Sequence, residues 1–327
     1  MDRRHCIRGV GAAVFASLLS SAAFAQVKFP DRPIRLIVPY APGGVVDAVA
    51  RHWAERMRAR LGTVVIENQG GGGGMIGAAT VARAQPDGYT LLFGDTSSQI
   101  IAPSLVASPS YDPAKDFTAI SIVATSSTAI VVHPSVPAKT FAEFIAYAQR
   151  QGDKLSYASA GAGTVTNLAG ELFKQLAKAP GIVHIPYRGA GPGLSDLVAG
   201  TVPMMTPNVT GQVLELHRSG RVRILAVCAP TRLKAAPDIP VANDTLPGLV
   251  VQLAAGVFAP AGTAQSVVAR IAEATGDAIK DPDFMRVLEA AGLEARADAS
   301  AAAAQAFLEA ERKRLVPVIQ AAGLKQQ

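Results

Sequence analysis

Apolar, β-branched runs alternate with amphipathic ones along the whole chain. "IRLIVPY" reads as a short strand. "VVDAVARHWAERMRARLG" then places Val46, Val49, Ala50, Trp53 and Met57 on one face at helical spacing, with Gly62 as the stop. "VVIEN" and "GYTLLFG" predict the second and third strands, flanking a glycine-rich run that opens a helix over residues 75–84. The next run, "AISIVATSSTAIVVHP", is longer than one strand of a compact sheet needs. A helix follows it, announced by Thr140 three residues before Glu143, a capping box. "LSYAS", "GIVHIPY", "VPMMTP" and "VRILAVCA" predict four more strands, with helices beginning near Gly163, Pro192 and Thr210. "VVQLAAGVFAP" is a further extended run. Three helices close the chain over about 264–280, 282–291 and 299–322, the second with Pro282 at its first position.

Such alternation argues for α/β layers. The block 126–251 repeats the strand–helix plan of the block before it, and a long extended run lies at each of its ends. The expected architecture is therefore two α/β lobes, each a doubly wound and mainly parallel sheet, joined by two crossover strands. Residues 26–125 plus 252–327 form one lobe and 126–251 the other. A cleft between two lobes is the usual seat of a small ligand.

The first 25 residues change the inventory. A basic start ("MDRRHCIRG") leads into the apolar, small-residue run "VGAAVFASLLSSAAFA", and Ala23-Phe24-Ala25 is a small-x-small cleavage pattern. These are the parts of a secretory signal, cleaved after Ala25, with the periplasm as destination. Its removal takes away Asp2, Arg3, Arg4 and Arg8, so the formal charge falls from +6 to +4. That balance is too diffuse for a nucleic-acid surface, and Arg56, Arg58 and Arg60 read as the solvated face of one helix. Cys6 leaves as well, so Cys228 stands alone without a disulfide partner.

Catalytic patterns are missing. His52, His133, His184 and His217 are widely spaced, with no metal-ligand or nucleophile signature around them, and Cys228 lies inside an apolar strand. No catalytic residue, metal or cofactor is expected. One exception tempts. Gly72, Gly74 and Gly77 of "ENQGGGGGMIG" fit G-x-G-x-x-G, and Asp95 closes the next apolar run. The match follows the second strand rather than the first. If the strand order is 2-1-3, the crevice opens between strands 1 and 3 and this loop lies to one side. What remains are three polar, glycine-rich turns after strands: "PYAPGGVVDAVAR", "GDTSSQ" and "ASAGAGTVTN". The unpaired N–H groups of a helix start suit an anion, so the three turns, on two lobes facing one cleft, suggest a carboxylate clamp. The rival reading is an exported hydrolase or cofactor-dependent oxidoreductase using the same cleft.

The ordered set "FPDRPIRLIVPYAPGGVVDAVAR", "VVIENQGGGGGMIGAATVARAQPDGYTLLFGD", "YASAGAGTVTNLAGELF", "HIPYRGAGPGLSDLVAG", "SGRVRILAV" and "GVFAPAGT" resembles the Bug-type receptors of tripartite tricarboxylate transporters over nearly the whole mature length. The resemblance implies a type II-like periplasmic-binding-protein fold that closes on a small organic acid. It also implies a monomer that delivers the acid to the subunits of a separate membrane transporter. Carried over by motif, the ligand-binding positions are Tyr40, Ala41, Gly43, Gly44, Asp47, Thr96 and Ser97 on one lobe. On the other they are Ser159, Ala160, Gly161, Thr164, Tyr187, Gly189 and Asn208. Val46 stands where the family often has threonine and Asn167 where it often has histidine. These departures, with Met204 and Met205, point to an acid less polar than citrate.

Overall fold

The computed structural model describes residues 29–321. The signal segment and its cleavage after Ala25 lie outside the described residues. Eleven strands are formed among those described: β1 Ile34–Val38, β2 Val64–Asn68, β3 Thr90–Asp95, β4 Phe117–Ser127, β5 Ala129–Val132, β6 Ser156–Ser159, β7 Val183–Pro186, β8 Met204–Met205, β9 Arg223–Val227, β10 Gln252–Pro260 and β11 Glu294–Ala295. They make two sheets, in the orders β11-β4-β10-β3-β1-β2 and β7-β6-β8-β5-β9. Each sheet contains the 2-1-3 arrangement, β2-β1-β3 in one and β7-β6-β8 in the other.

The fold is two-lobed α/β, with one correction. Only β1–β2, β1–β3, β6–β7 and β6–β8 pair in parallel; every other pairing is antiparallel, so the sheets are mixed. The crossings cause this. A strand arriving from the other lobe enters its sheet from the opposite end, against the direction the βαβ units impose. β10 does so between β3 and β4, and β5 between β8 and β9. β4 is buried along nearly its whole length, which is why it reads as an unbroken apolar run rather than an alternating one.

Helices cover the sheets: α1 Val45–Leu61, α2 Met75–Ala82, α3 Ala102–Leu105, α4 Phe141–Gln151, α5 Val165–Leu176, α6 Ala190–Ala199, α7 Gly211–Arg218, α8 Ala242–Thr245, α9 Gln265–Lys280, α10 Pro282–Ala290 and α11 Ala301–Ala321. None of them is long and apolar enough to cross a membrane. All five predicted inward residues of α1 are buried, and the Trp53 indole donates to Thr275 Oγ1 on α9 at 3.1 Å. Arg56 and Arg60 are not merely solvated: they pair with Asp281 and Asp277 at 3.0 and 2.7 Å, tying α1 to the C-terminal helices. The capping box of α4 is complete. Asp281 caps α10 with Pro282 at the first helical position. Met204 and Met205 are fully buried, so they belong to the core and not to a pocket wall.

Only Thr128 separates β4 from β5. Its N–H and its hydroxyl both donate to Val251 O, at 3.1 and 3.0 Å, and its carbonyl accepts from Cys228 N–H at 2.8 Å. Val209 N–H donates to Ser127 O, and Ala129 N–H to Pro207 O. Four segments of the chain, at 127–129, 207–209, 228 and 251, are thus laced together where the lobes meet.

Candidate functional site

The site is built from the turns that leave β1, β3 and β6. After β1 the chain runs through Tyr40, Ala41, Gly43 and Gly44 into α1. Gly44 is the N-cap and supplies no side-chain acceptor. The first N–H groups of α1 thus keep their donor capacity, reinforced by the helix dipole. Asp47 is buried, 2 % exposed, and its carboxylate is taken up by protein donors. Its carboxylate accepts from Gly43 N–H (2.9 Å), Arg51 Nε and Nη2 (2.9 and 3.0 Å) and Asn68 Nδ2 (2.9 Å). Asn68 also donates to Tyr40 O. Burial pushes the Asp47 carboxyl up. The Arg51, Gly43 and Asn68 bonds outweigh that and hold it below the usual range. Asp47 is the brace of this turn.

After β3 the expected helix start is a π-helical turn, Ser97–Ile101, leading into α3. Such turns are rare and gather at functional sites. Asp95 Oδ1, fully buried, accepts from the Tyr40 hydroxyl at 2.6 Å and from Ser98 N–H and Oγ at 3.1 and 3.0 Å. Burial first, then the Asp95 charge, pushes the Tyr40 phenol well above its ordinary value, and burial likewise raises Asp95. The Tyr40 hydroxyl is therefore committed to Asp95. Thr96 Oγ1 accepts from Ala254 N–H of β10 at 2.9 Å, anchoring the turn to a crossing strand. Tyr111 donates its hydroxyl to Ser98 O.

The turn after β6 is stitched to itself. Ala160 N–H donates to Thr166 Oγ1, Gly161 N–H to Ser159 Oγ and Gly163 N–H to Asn167 Oδ1. Thr164 caps α5 by accepting from Asn167 N–H, and its hydroxyl donates to Gly161 O at 2.7 Å. The second lobe's expected anion donors are thus largely engaged by side chains of their own lobe. Ser159 Oγ is 2.7 Å from His184 Nε2. His184 stacks on Tyr157, ring centroids 4.7 Å apart, and its Nδ1 faces Asn167 Nδ2 at 3.4 Å. With Ser159 fully buried and an amide on the far side of the imidazole, this serine–histidine pair braces the turn. Tyr187 and Gly189 follow β7. Their N–H groups donate to Ser159 O and Ala160 O, and the Tyr187 hydroxyl donates to Asp196 at 2.6 Å. Asn208 lies at the crossing, bridged to Thr128, 8 % exposed and with its Nδ2 unpartnered.

The structure brings the turns of the two lobes together: Val165 N–H, at the start of α5, donates to Ser97 Oγ at 3.1 Å. Sequence reasoning missed Asn68, Ser98, Thr166 and His184 as bracing residues, and Asp95 was noticed only as part of a false cofactor pattern. Asn68 and His184 act on turns elsewhere in the chain, so nothing local marks them, whereas Ser98 and Thr166 brace the turns they belong to. Among the described residues no cluster of His, Cys, Asp and Glu could hold a metal. A cavity of about 530 Å³ opens elsewhere on the first lobe, lined by Gln99, Pro103, Tyr111 and Arg312 among others, with no residue from the second lobe and none of the predicted ligand positions.

Residues 49–324 match the profile of the tripartite tricarboxylate transporter family receptor. A Pseudomonas sp. protein from the tcbD–tcbE intergenic region is 36 % identical over 94 % of this chain and 91 % of its own length. The Bordetella pertussis protein BugT is 32 % identical over 81 % of each. Among solved structures, the periplasmic binding protein BugD superposes with a TM-score of 0.84 at 33 % identity, covering 91 % of this chain and 100 % of its own. An R. palustris protein with adipate scores 0.84 at 30 % identity, covering 90 % and 98 %. MatC from Rhodopseudomonas palustris with bound malate scores 0.83 at 32 %, covering 89 % and 100 %. With lobes, crossings and cleft turns of this kind, the chain belongs to the tripartite tricarboxylate transporter receptor family, among its Bug-type members.

Proposed function

We propose that this chain is a periplasmic receptor that captures a small organic acid between its lobes and delivers it to the membrane subunits of a tripartite transporter. In this reading residues 126–251 form the moving lobe, the signal segment is removed after Ala25, and the receptor acts as a monomer. The observation that carries the reading is the side-chain-free start of α1 at Gly44, a ready anion seat on the cleft. Relatives of the same fold that hold adipate and malate support it. The acid is a carboxylate without an ammonium group. Both acidic side chains at the cleft turns, Asp47 and Asp95, are committed to Arg51 and Tyr40 and leave no partner for a cation. Val46, 4 % exposed where a hydroxyl donor would stand, favours an aliphatic acid over a heavily hydroxylated one.

The test is a melting screen against mono-, di- and tricarboxylates, with NAD and FAD in parallel. Ligand at a hundred times its Kd adds roughly 2.7 kcal/mol of stability. The expected result is a rise with an aliphatic dicarboxylate and none with either cofactor. A shift with NAD or FAD alone would overturn the receptor reading in favour of an exported enzyme.

A further inference from the structure

The glycine run is the one sequence motif that the ligand-binding scheme does not use. The structure gives it a neighbour. Gly73 sits with φ +64°, and a Cβ added there would lie 3.0 Å from Ala102 Cβ and 3.2 Å from both Ala162 O and Gly163 O. The last two atoms belong to the second lobe's turn. Gly163 answers from the other side: its own added Cβ would meet Leu105 Cδ1 and Ala102 Cβ at 3.4 and 3.5 Å. Two glycine backbones from opposite lobes thus face each other around Ala102. The loop after β2 reaches the second lobe's turn instead of lying off to one side as the strand order alone suggested. Beside this contact the Val165 N–H to Ser97 Oγ bond spans the same gap.

We propose that Gly70–Gly74 is the first lobe's closure pad. Gly73 and Ser97 would then govern how tightly the receptor holds its ligand by setting how much of the time the lobes are together, Gly73 through its backbone contacts and Ser97, itself an expected ligand position, through its bond to Val165 N–H. Both contacts are made between protein atoms, and rigid backbone carbonyls stand where any side chain at position 73 would go. A wedge there, or loss of the Ser97 acceptor, lowers the closed fraction. Apparent affinity falls by the same factor, because only the closed state completes the seat. The proposal rests on the cleft being the ligand seat, but the contact can be tested apart from the ligand.

The experiment compares Gly73→Ala, Ser97→Ala and Gly72→Ala in the full mature protein. Gly72 has the same left-handed backbone, φ +57°, and its added Cβ would meet only the Met75 side chain, at 3.4 Å. It therefore carries the conformational penalty without the wedge. Small-angle scattering of the ligand-free proteins reads lobe separation, and calorimetry reads affinity for malate and adipate. Gly73→Ala and Ser97→Ala are expected to enlarge the radius of gyration and weaken Kd about tenfold, with Gly72→Ala matching the wild type in both. Wild-type scattering from Gly73→Ala and Ser97→Ala, or an equal expansion in Gly72→Ala, overturns the proposal. If neither acid binds the wild type, the aliphatic dicarboxylate assignment fails, and the scattering series still decides the closure contact.

Discussion

His184 holds the second lobe's turn from the side, and its surroundings make that hold depend on pH. Tyr157 covers one face of the ring, Ser159 and Asn167 meet its two nitrogens, and Glu171 and Lys174 of α5 are its charged neighbours. Burial lowers the imidazole's pKa, Lys174 adds to that, and Glu171 opposes it; the net shift is downward. The unfolded chain therefore takes up this proton at a higher pH than the folded one. Stability falls as pH drops below about 6.5 and stops falling on this account once the folded pKa is passed. In His184→Gln that contribution vanishes. Urea unfolding between about pH 7.5 and 5 should then fall less steeply than in the wild type, the difference being at most about 1.4 kcal/mol per pH unit for one proton. Equal slopes would show that His184 titrates as it would in water. At this scale the sequence was legible in kind more than in role. Tyr40 and Asp47 sit at the turn where motif reasoning put them, but their polar atoms face inward. The donors that turn Asp47 inward come from Arg51 and Asn68, and whether Asn68 of β2 lies beside α1 is a matter of packing that local spacing does not encode.

Among elements, the junction of β2 and α2 shows how a false signal arises. A Cβ at Gly77 would lie 2.8 Å from Pro39 Cα and 2.9 Å from Gln69 O, so α2 packs on the end of β1 at a distance only glycine allows. A dinucleotide fingerprint needs its third glycine for the same close approach of helix to strand. The spacing was therefore real, and the geometry it encodes serves packing here. Gly77→Ala should destabilise the protein by about 1–3 kcal/mol, since backbone atoms, not a flexible side-chain tip, must move; the shift in urea midpoint measures it. Helix limits set by caps, at Thr140 and at Asp281 with Pro282, were readable because those signals are local. The π-helical turn at Ser97–Ile101 was not: Tyr40 and Ala254, far away in the sequence, hold Asp95 and Thr96 just before it, and the Tyr111 hydroxyl donates to its Ser98 carbonyl.

Across the whole molecule, the two long extended runs revealed the crossings, but not their consequence for strand direction. Nor could sequence show that the turns of the two lobes touch, since Ser97 and Val165 are 68 positions apart. The crossings also impose an order on the chain's own assembly. β10 stands between β3 and β4, so the first sheet has a gap at its centre until residues 252–260 arrive. The second sheet is drawn entirely from residues 129–227 and has no such wait. On refolding, amide protons in β5 through β9 should gain exchange protection before those of β3 and β4 in a pulse-labelling experiment; simultaneous protection would mean that the two sheets form as one unit. In a chain emerging from its N-terminus, the half that appears first is the half that must remain unfinished longest. Its exposed strand edges at β3 and β4 are where premature association would begin.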